Sequence, residues 1–177
     1  GGAEWWMGHA LIQGEFPAHV NDSGLTLFED IAAFGTGNPD ATVQGRTRLA
    51  DGEWHLVTAT RFVNRESARS ELKLYIDGQL ERAASSKNTS PMDANATWGV
   101  GRQHQTRGIV GDMDDVRVYD RASSAKQVAA VYARKDTLAP FAHYPFDGHT
   151  SDIVGENHGK HIGSGKFQYT AGATDDP

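Results

Sequence analysis

Asp112, Asp114 and Asp115 crowd three carboxylates into one short run ahead of Val116 and Val118. In an extended strand neighbouring side chains alternate faces, so Asp112 and Asp114 share a side and Asp115 points the other way. Asp114 then lies on the same face as Val116 and Val118. A carboxylate on an apolar face needs a partner, because burying it unpaired is costly. Calcium suits such a place, being a hard cation that takes roughly 6–8 oxygen ligands. The alternative is a hydrogen-bonded aspartate in a strand-end network with Arg117 or Arg121.

A second oxygen-rich set comprises Glu15, Asn21, Asp22, Asn38 and Asp40. These residues fall in two loops, 16–22 with its preceding residue and 35–40, that flank strands expected over 24–34. Hairpin-like pairing of those strands would carry both loops to one rim of a sheet. Rim loops on a rigid scaffold are where binding residues concentrate. Ordinary turn chemistry accounts for the same residues, since Asn and Asp cap loops generally.

Aromatic residues give a third kind of chemistry. Trp5, Trp6, Trp54, Trp98 and Tyr75 would stack on sugar rings from a concave sheet face. Trp98, just before Gly99-Val100-Gly101, reads equally as core. Trp5 and Trp6 point to opposite faces if their segment is extended. Core packing is the expectation for most of them. The histidines His143, His149, His158 and His161 cluster in the tail without the separations of a zinc site. A Gly-x-Ser-x-Gly elbow and a phosphate loop are both missing from the sequence. So is the paired-carboxylate strand of sandwich glycosidases. The expectation is therefore a non-enzyme.

Elements able to position such residues are strands. At 177 residues the chain suits one β-sandwich with a small extension, and 20 glycines suit a turn-rich all-β protein. Hydrophobic residues, 38% of the total, suffice for a core. A net charge of −6 argues against a nucleic-acid or anionic-membrane partner. No apolar run approaches the roughly 18 residues of a membrane span. Zero cysteines exclude disulfides and thiolate zinc sites. Gly1-Gly2-Ala3 reads as an internal cut, so the lack of a visible signal peptide carries little weight. Strands are expected over 9–13, 24–29, 31–34, 54–62, 97–101 and 109–119, with loops over 35–40, 64–70 and 85–96.

Two local signals are sharper. Leu72, Leu74 and Ile76 alternate with Lys73, Tyr75 and Asp77, and Asp77-Gly78 is a tight-turn pair, predicting a hairpin over 72–84. Ser124 and Gln127 have capping-box spacing, with Val128, Val131 and Tyr132 forming one apolar stripe, predicting a short helix stopped before Pro140.

An ordered trio carries a family resemblance. The run Asp51-Gly52-Glu53-Trp54-His55-Leu56-Val57, then the hairpin, then Gly111-Asp112-Met113-Asp114-Asp115-Val116-Arg117-Val118-Tyr119 resembles laminin-G-like domains. These domains belong to the concanavalin-like jelly-roll superfamily. The resemblance implies an antiparallel jelly-roll β-sandwich with one short peripheral helix, and a binding or architectural role. It also implies a buried Trp54. Phe141-Ala142-His143-Tyr144-Pro145-Phe146-Asp147-Gly148, with Ser151-Asp152 and Glu156-Asn157-His158-Gly159, resembles the opening strand of such a domain. The chain therefore reads as most of one domain over 1–138 and the opening of another over 139–177, cut out of phase from a tandem array. By the same resemblance, Asp147 and Asp152 join Asp112, Asp114 and Asp115 as candidate ligands of a structural calcium. Likewise a rim calcium at Glu15, Asp22, Asn38 and Asp40 would bridge to a ligand. Arg69-Ser70-Glu71-Leu72 is similar to a motif of alginate lyases, whose other motifs are absent here.

These readings converge on an extracellular or cell-surface bacterial module that binds a glycan or surface protein. The rival is a repeating filament subunit. In it, an arm carrying Phe141, Tyr144 and Phe146 completes the sheet of a neighbouring copy of the same domain.

Overall fold

The computed structural model describes residues 4–14, 21–92, 98–101, 108–135, 138–161 and 168–169. The chain divides into two compact units, Gly1–Ile109 with Ala122–Asp136, and Val110–Arg121 with Thr137–Pro177.

The first unit is an antiparallel β-sandwich. One sheet holds β1 (His9–Gln13), β2 (Ser23–Phe28), β3 (Ile31–Thr36), β4 (Ala41–Arg48) and β8 (Gly99–Val100), in the order β4-β3-β2-β1-β8. The other holds β5 (Val57–Asn64), β6 (Arg69–Ile76) and β7 (Gln79–Ser86), in that order. Three strands of the first sheet turn buried residues inward: Leu25 from β2, Ala32 and Phe34 from β3, Val43 from β4. They meet Leu72, Leu74 and Ile76 of β6 to form the core.

The β6–β7 hairpin forms as its pattern requires. Ile76 pairs with Gln79, and between them Asp77 and Gly78 both take positive φ, 50° and 78°. The one α-helix among the described residues, α1 (Ala125–Tyr132), lies against that turn: a Cβ added at Gly78 would sit 3.0 Å from the Cβ of Tyr132. Ser124 and Gln127 close the expected capping box at its N-terminus.

The second unit contains a two-stranded antiparallel ribbon, β9 (Val116–Val118) with β10 (Ala142–Tyr144). Ala142, His143 and Tyr144 pair with Val118, Arg117 and Val116 of the same chain.

Several expectations are corrected. β9 is much shorter than 109–119, so Asp112, Asp114 and Asp115 precede the strand. Asp115 takes φ 50°, which breaks the alternation that placed Asp114 on an apolar face. β5 begins at Val57, leaving Trp54 in the preceding loop, 46% exposed instead of buried. Trp98 is likewise 44% exposed. β3 runs through Gly35 to Thr36, and β4 occupies residues that had no strand assigned. The 93–96 part of the loop expected over 85–96 lies outside the described residues.

Candidate functional site

The β2–β3 pairing sets the rim. Ser23 pairs with Thr36, so Asp22 and the turn 37–40 leave the sheet at the same end. The amide of Gly37 donates to the Asp22 carbonyl at 2.9 Å. Asn88, almost fully buried, reaches from the loop after β7 and donates its side-chain amide to the Gly37 carbonyl. The rim turn is thereby tied to both sheets.

Trp5 and Trp6 belong to a single 3₁₀ turn, Trp5–Met7, and not to an extended segment. Leu25 and Phe34 face the core, so their neighbours Gly24 and Gly35 face outward. Gly24 and Gly35 are direct cross-strand partners. The Trp5 indole lies over this glycine pair: a Cβ at Gly24 would come within 3.1 Å of the ring, and Gly35 has no room for one. Glycine inside a strand often marks such a close approach. Thr26 donates to the Trp5 carbonyl at 2.8 Å, and the Trp5 amide donates to Thr42 at 3.2 Å. Trp5 is 1% exposed, and its indole N–H is buried without a hydrogen-bond partner among the described residues. Trp6 stands at right angles to it, ring centroids 5.8 Å apart, and is only partly buried.

Together these residues enclose an open cavity of about 390 Å³. Trp5 and Trp6 line one part, and Asp22, Asn38, Pro39 and Asp40 line the rest. An aromatic surface beside convergent carboxylate and amide oxygens can stack on a pyranose ring and accept hydrogen bonds from its hydroxyls. Asp22, Asn38 and Asp40 thus share one cavity, whereas Glu15 lies outside the described residues. Sequence reasoning had the two tryptophans and the rim acids but did not join them. The usable signal was the spacing of Gly24 and Gly35.

The other acidic set has a different character. Asp115 accepts from the Arg117 guanidinium at 2.7 Å and contacts the His143 ring at 2.6 Å. Asp114 accepts from the Asp115 amide at 2.9 Å. Asp152 is buried and accepts from the amides of His143 at 2.9 Å, Val154 at 3.0 Å and Asn157 at 3.2 Å. Burial opposes its charge, but the amides of His143, Gly155, Val154 and Asn157 outweigh that and hold its carboxyl well below the usual range. Asp112 and Asp147 are exposed. A carboxylate ringed by N–H donors, and another facing an arginine, already have their charge answered and do not fit a shared calcium. Among the described residues no three His, Asp or Glu side chains converge as a metal-binding group.

Also outside the expectations is His55, whose ring contacts Asp77 at 2.8 Å and Asp51 at 3.2 Å. The Asp77 bond, more than the opposing burial, raises its pKa, and Asp51 adds to the rise.

Comparison with known proteins gives a family for the chain. A family described as the concanavalin A-like lectin/glucanases superfamily, in its laminin-G-like branch, matches residues 4–129. Among solved structures, an S-layer domain-containing protein from Clostridium thermocellum ATCC 27405 is similar over 67% of this chain at 21% identity, with a TM-score of 0.39. This chain spans 59% of the length of that one. Comparison with curated proteins gave no match. With the match covering most of its length, and with an antiparallel sandwich plus one short helix, the chain belongs to the laminin-G-like family of the concanavalin A-like lectin/glucanases superfamily.

Proposed function

We propose that this protein is a non-catalytic extracellular module that binds glycan at the rim of its sandwich. The observation that carries the reading is the rim cavity, where Trp5 and Trp6 stand beside Asp22, Asn38 and Asp40. Trp6 offers the stacking surface, because Trp5 is covered. Asp22, Asn38 and Asp40 orient the sugar through hydroxyl hydrogen bonds. Calcium belongs to this proposal at the rim and not at Asp115 and Asp152. Two carboxylates and an amide oxygen are too few for a cation that takes roughly 6–8 oxygens, so sugar hydroxyls would share it. Residues arranged for covalent or acid–base chemistry play no part in this reading. The test is glycan binding by the intact chain and by Trp6→Ala, with and without Ca²⁺.

Cell-surface location follows as part of the same proposal. No helix among the described residues is long and apolar enough to cross a membrane. A second reading is assembly of copies by strand exchange, in which β10 would leave the β9 of its own chain and pair with that of a neighbouring copy. Phe141, beside β10, is 58% exposed. Light scattering distinguishes the two: a glycan binder stays monomeric when concentrated, and an exchanging subunit forms open, head-to-tail assemblies.

A further inference from the structure

Arg61 holds a position that packing alone would give to an apolar residue. Along β5, Val57, Ala59, Arg61 and Val63 share one face, and Val57 and Ala59 pack against the core. In register, Arg61 pairs with Leu72, which is fully buried. The guanidinium Nη2 donates to the main-chain carbonyls of Asn88 at 3.0 Å and Ser90 at 2.8 Å. Its Nε is buried and has no partner among the described residues. Burial lowers its pKa, and no described carboxylate compensates it. A half-buried cation answered only by neutral carbonyls is a costly arrangement.

Beside it opens a cavity of about 500 Å³, lined by Arg61, Val63, Arg65, Thr89, Ser90 and Pro91 among others. Among the described residues no Asp or Glu lines this cavity. Arg65 enters from the β5–β6 turn. The Ser90 amide already donates to the Asn88 side chain at 2.9 Å, so it is not free to hold an anion. Donors lining the cavity include Arg61 Nη1, the Arg65 guanidinium and the Thr89 and Ser90 hydroxyls. On a chain of net charge −6, an anion is drawn to such a cavity by local and not overall potential.

We infer that this cavity is a second binding site, which takes the carboxylate of an acidic saccharide such as a uronic acid. Arg61 and Arg65 hold the carboxylate, and Thr89 and Ser90 meet the ring hydroxyls. Both protons of Arg61 Nη2 are taken by carbonyls and its Nε is buried, so Arg61 offers Nη1, and the exposed Arg65 offers a planar fork that matches a carboxylate in two places at once. A peptide C-terminus fits less well. Its usual capture uses a nest of main-chain N–H groups, and the Ser90 amide is already engaged. The inference rests on the glycan-binding reading. Its test reads backbone amides at 61–65 and 89–90, and the rim is read at 22 and 37–40, so the two can fail separately.

The experiment is a ¹H–¹⁵N NMR titration of the intact chain with trigalacturonate, with neutral galactotriose and with a short peptide bearing a free C-terminal carboxylate. Trigalacturonate is expected to shift the amides around Arg61 and Ser90, and galactotriose to leave them in place. Arg65→Gln, a change at an exposed turn, should weaken trigalacturonate binding severalfold. Arg61→Lys, which keeps the charge and loses the Nη1 donor, should weaken it by about tenfold, the loss of one charge-assisted hydrogen bond. Equal shifts with the neutral sugar, shifts with the peptide alone, or no shift at 61–65 and 89–90 would each overturn the inference. So would an Arg65→Gln chain that binds as tightly as the parent.

Discussion

Gly24 and Gly35 face each other across β2 and β3, and the Trp5 indole lies over the pair. The outer face of the five-stranded sheet is shaped at that point to accept one ring. Because Trp6 follows in the same tight turn, seating Trp5 also fixes where Trp6 stands at the rim cavity.

Gly35→Ala is the direct test of this seat. A methyl there meets the Trp5 ring on one side and the Ala41 carbonyl on the other, and main chain cannot swing away. Overpacking of this kind costs about 1–3 kcal/mol. Urea unfolding should show that loss. Quenching of tryptophan fluorescence should show Trp5 newly accessible.

Asn88 links the rim to the second sheet. It donates to the Gly37 carbonyl, and its own carbonyl accepts from Ser70 at 2.8 Å and from Arg61. Asn88→Ala leaves the Gly37 carbonyl without this donor, an expected loss of about 1–3 kcal/mol. Amide exchange at 37–40 should accelerate more than exchange in β6.

The His55 contacts predict a pH dependence. Asp77 and Asp51 raise the pKa of the folded histidine above its ordinary value. Protonated His55 therefore stabilises the fold fully below about pH 6.5, the unfolded value, and the contribution fades as pH rises through the folded pKa. The melting temperature should decline across that window in the parent chain. It should decline less in His55→Gln. The same slope in both chains would remove His55 from the account.

In the second unit, the Asp152 carboxylate organises the end of the ribbon through main-chain amides, those of His143, Val154 and Asn157 among them. Its depressed pKa means that its contribution is present above about pH 3.9, the unfolded value, and is lost as pH falls through the folded one. Asp152→Asn should speed amide exchange at His143, Val154 and Asn157 at neutral pH, with β6 unaffected. Chelation of Ca²⁺ should leave those amides unchanged, because their partner is the carboxylate itself.

Legibility in the sequence followed how local each signal was. The β6–β7 hairpin could be read because alternation and an Asp-Gly turn agree within a few residues. Likewise α1 was announced by its capping pair. β4 escaped notice because only Val43 of its residues is fully buried, so its polar edge carries little alternation. Asp115 misled for a subtler reason: its positive φ ends the extended run, and composition does not record φ. Trp54 was placed inside by family resemblance, yet β5 starts beyond it. The rim residues Asp22, Asn38 and Asp40 were identifiable by type. Their union with Trp5 and Trp6 was not, because it depends on a cross-strand glycine pair distant from the rim acids in sequence. Arg61 lay hidden in an otherwise regular strand.

The central claim, glycan binding at the rim, is tested most directly on a glycan array with the intact chain and with Trp6→Ala. Trp6 is partly exposed, so its replacement should leave the melting temperature within a few degrees. The account predicts that the intact chain binds a defined set of glycans. It predicts that Trp6→Ala loses roughly tenfold or more in affinity, the scale of one aromatic stacking contact with a ring. Absence of any glycan bound above background, or equal binding by a folded Trp6→Ala chain, would contradict it.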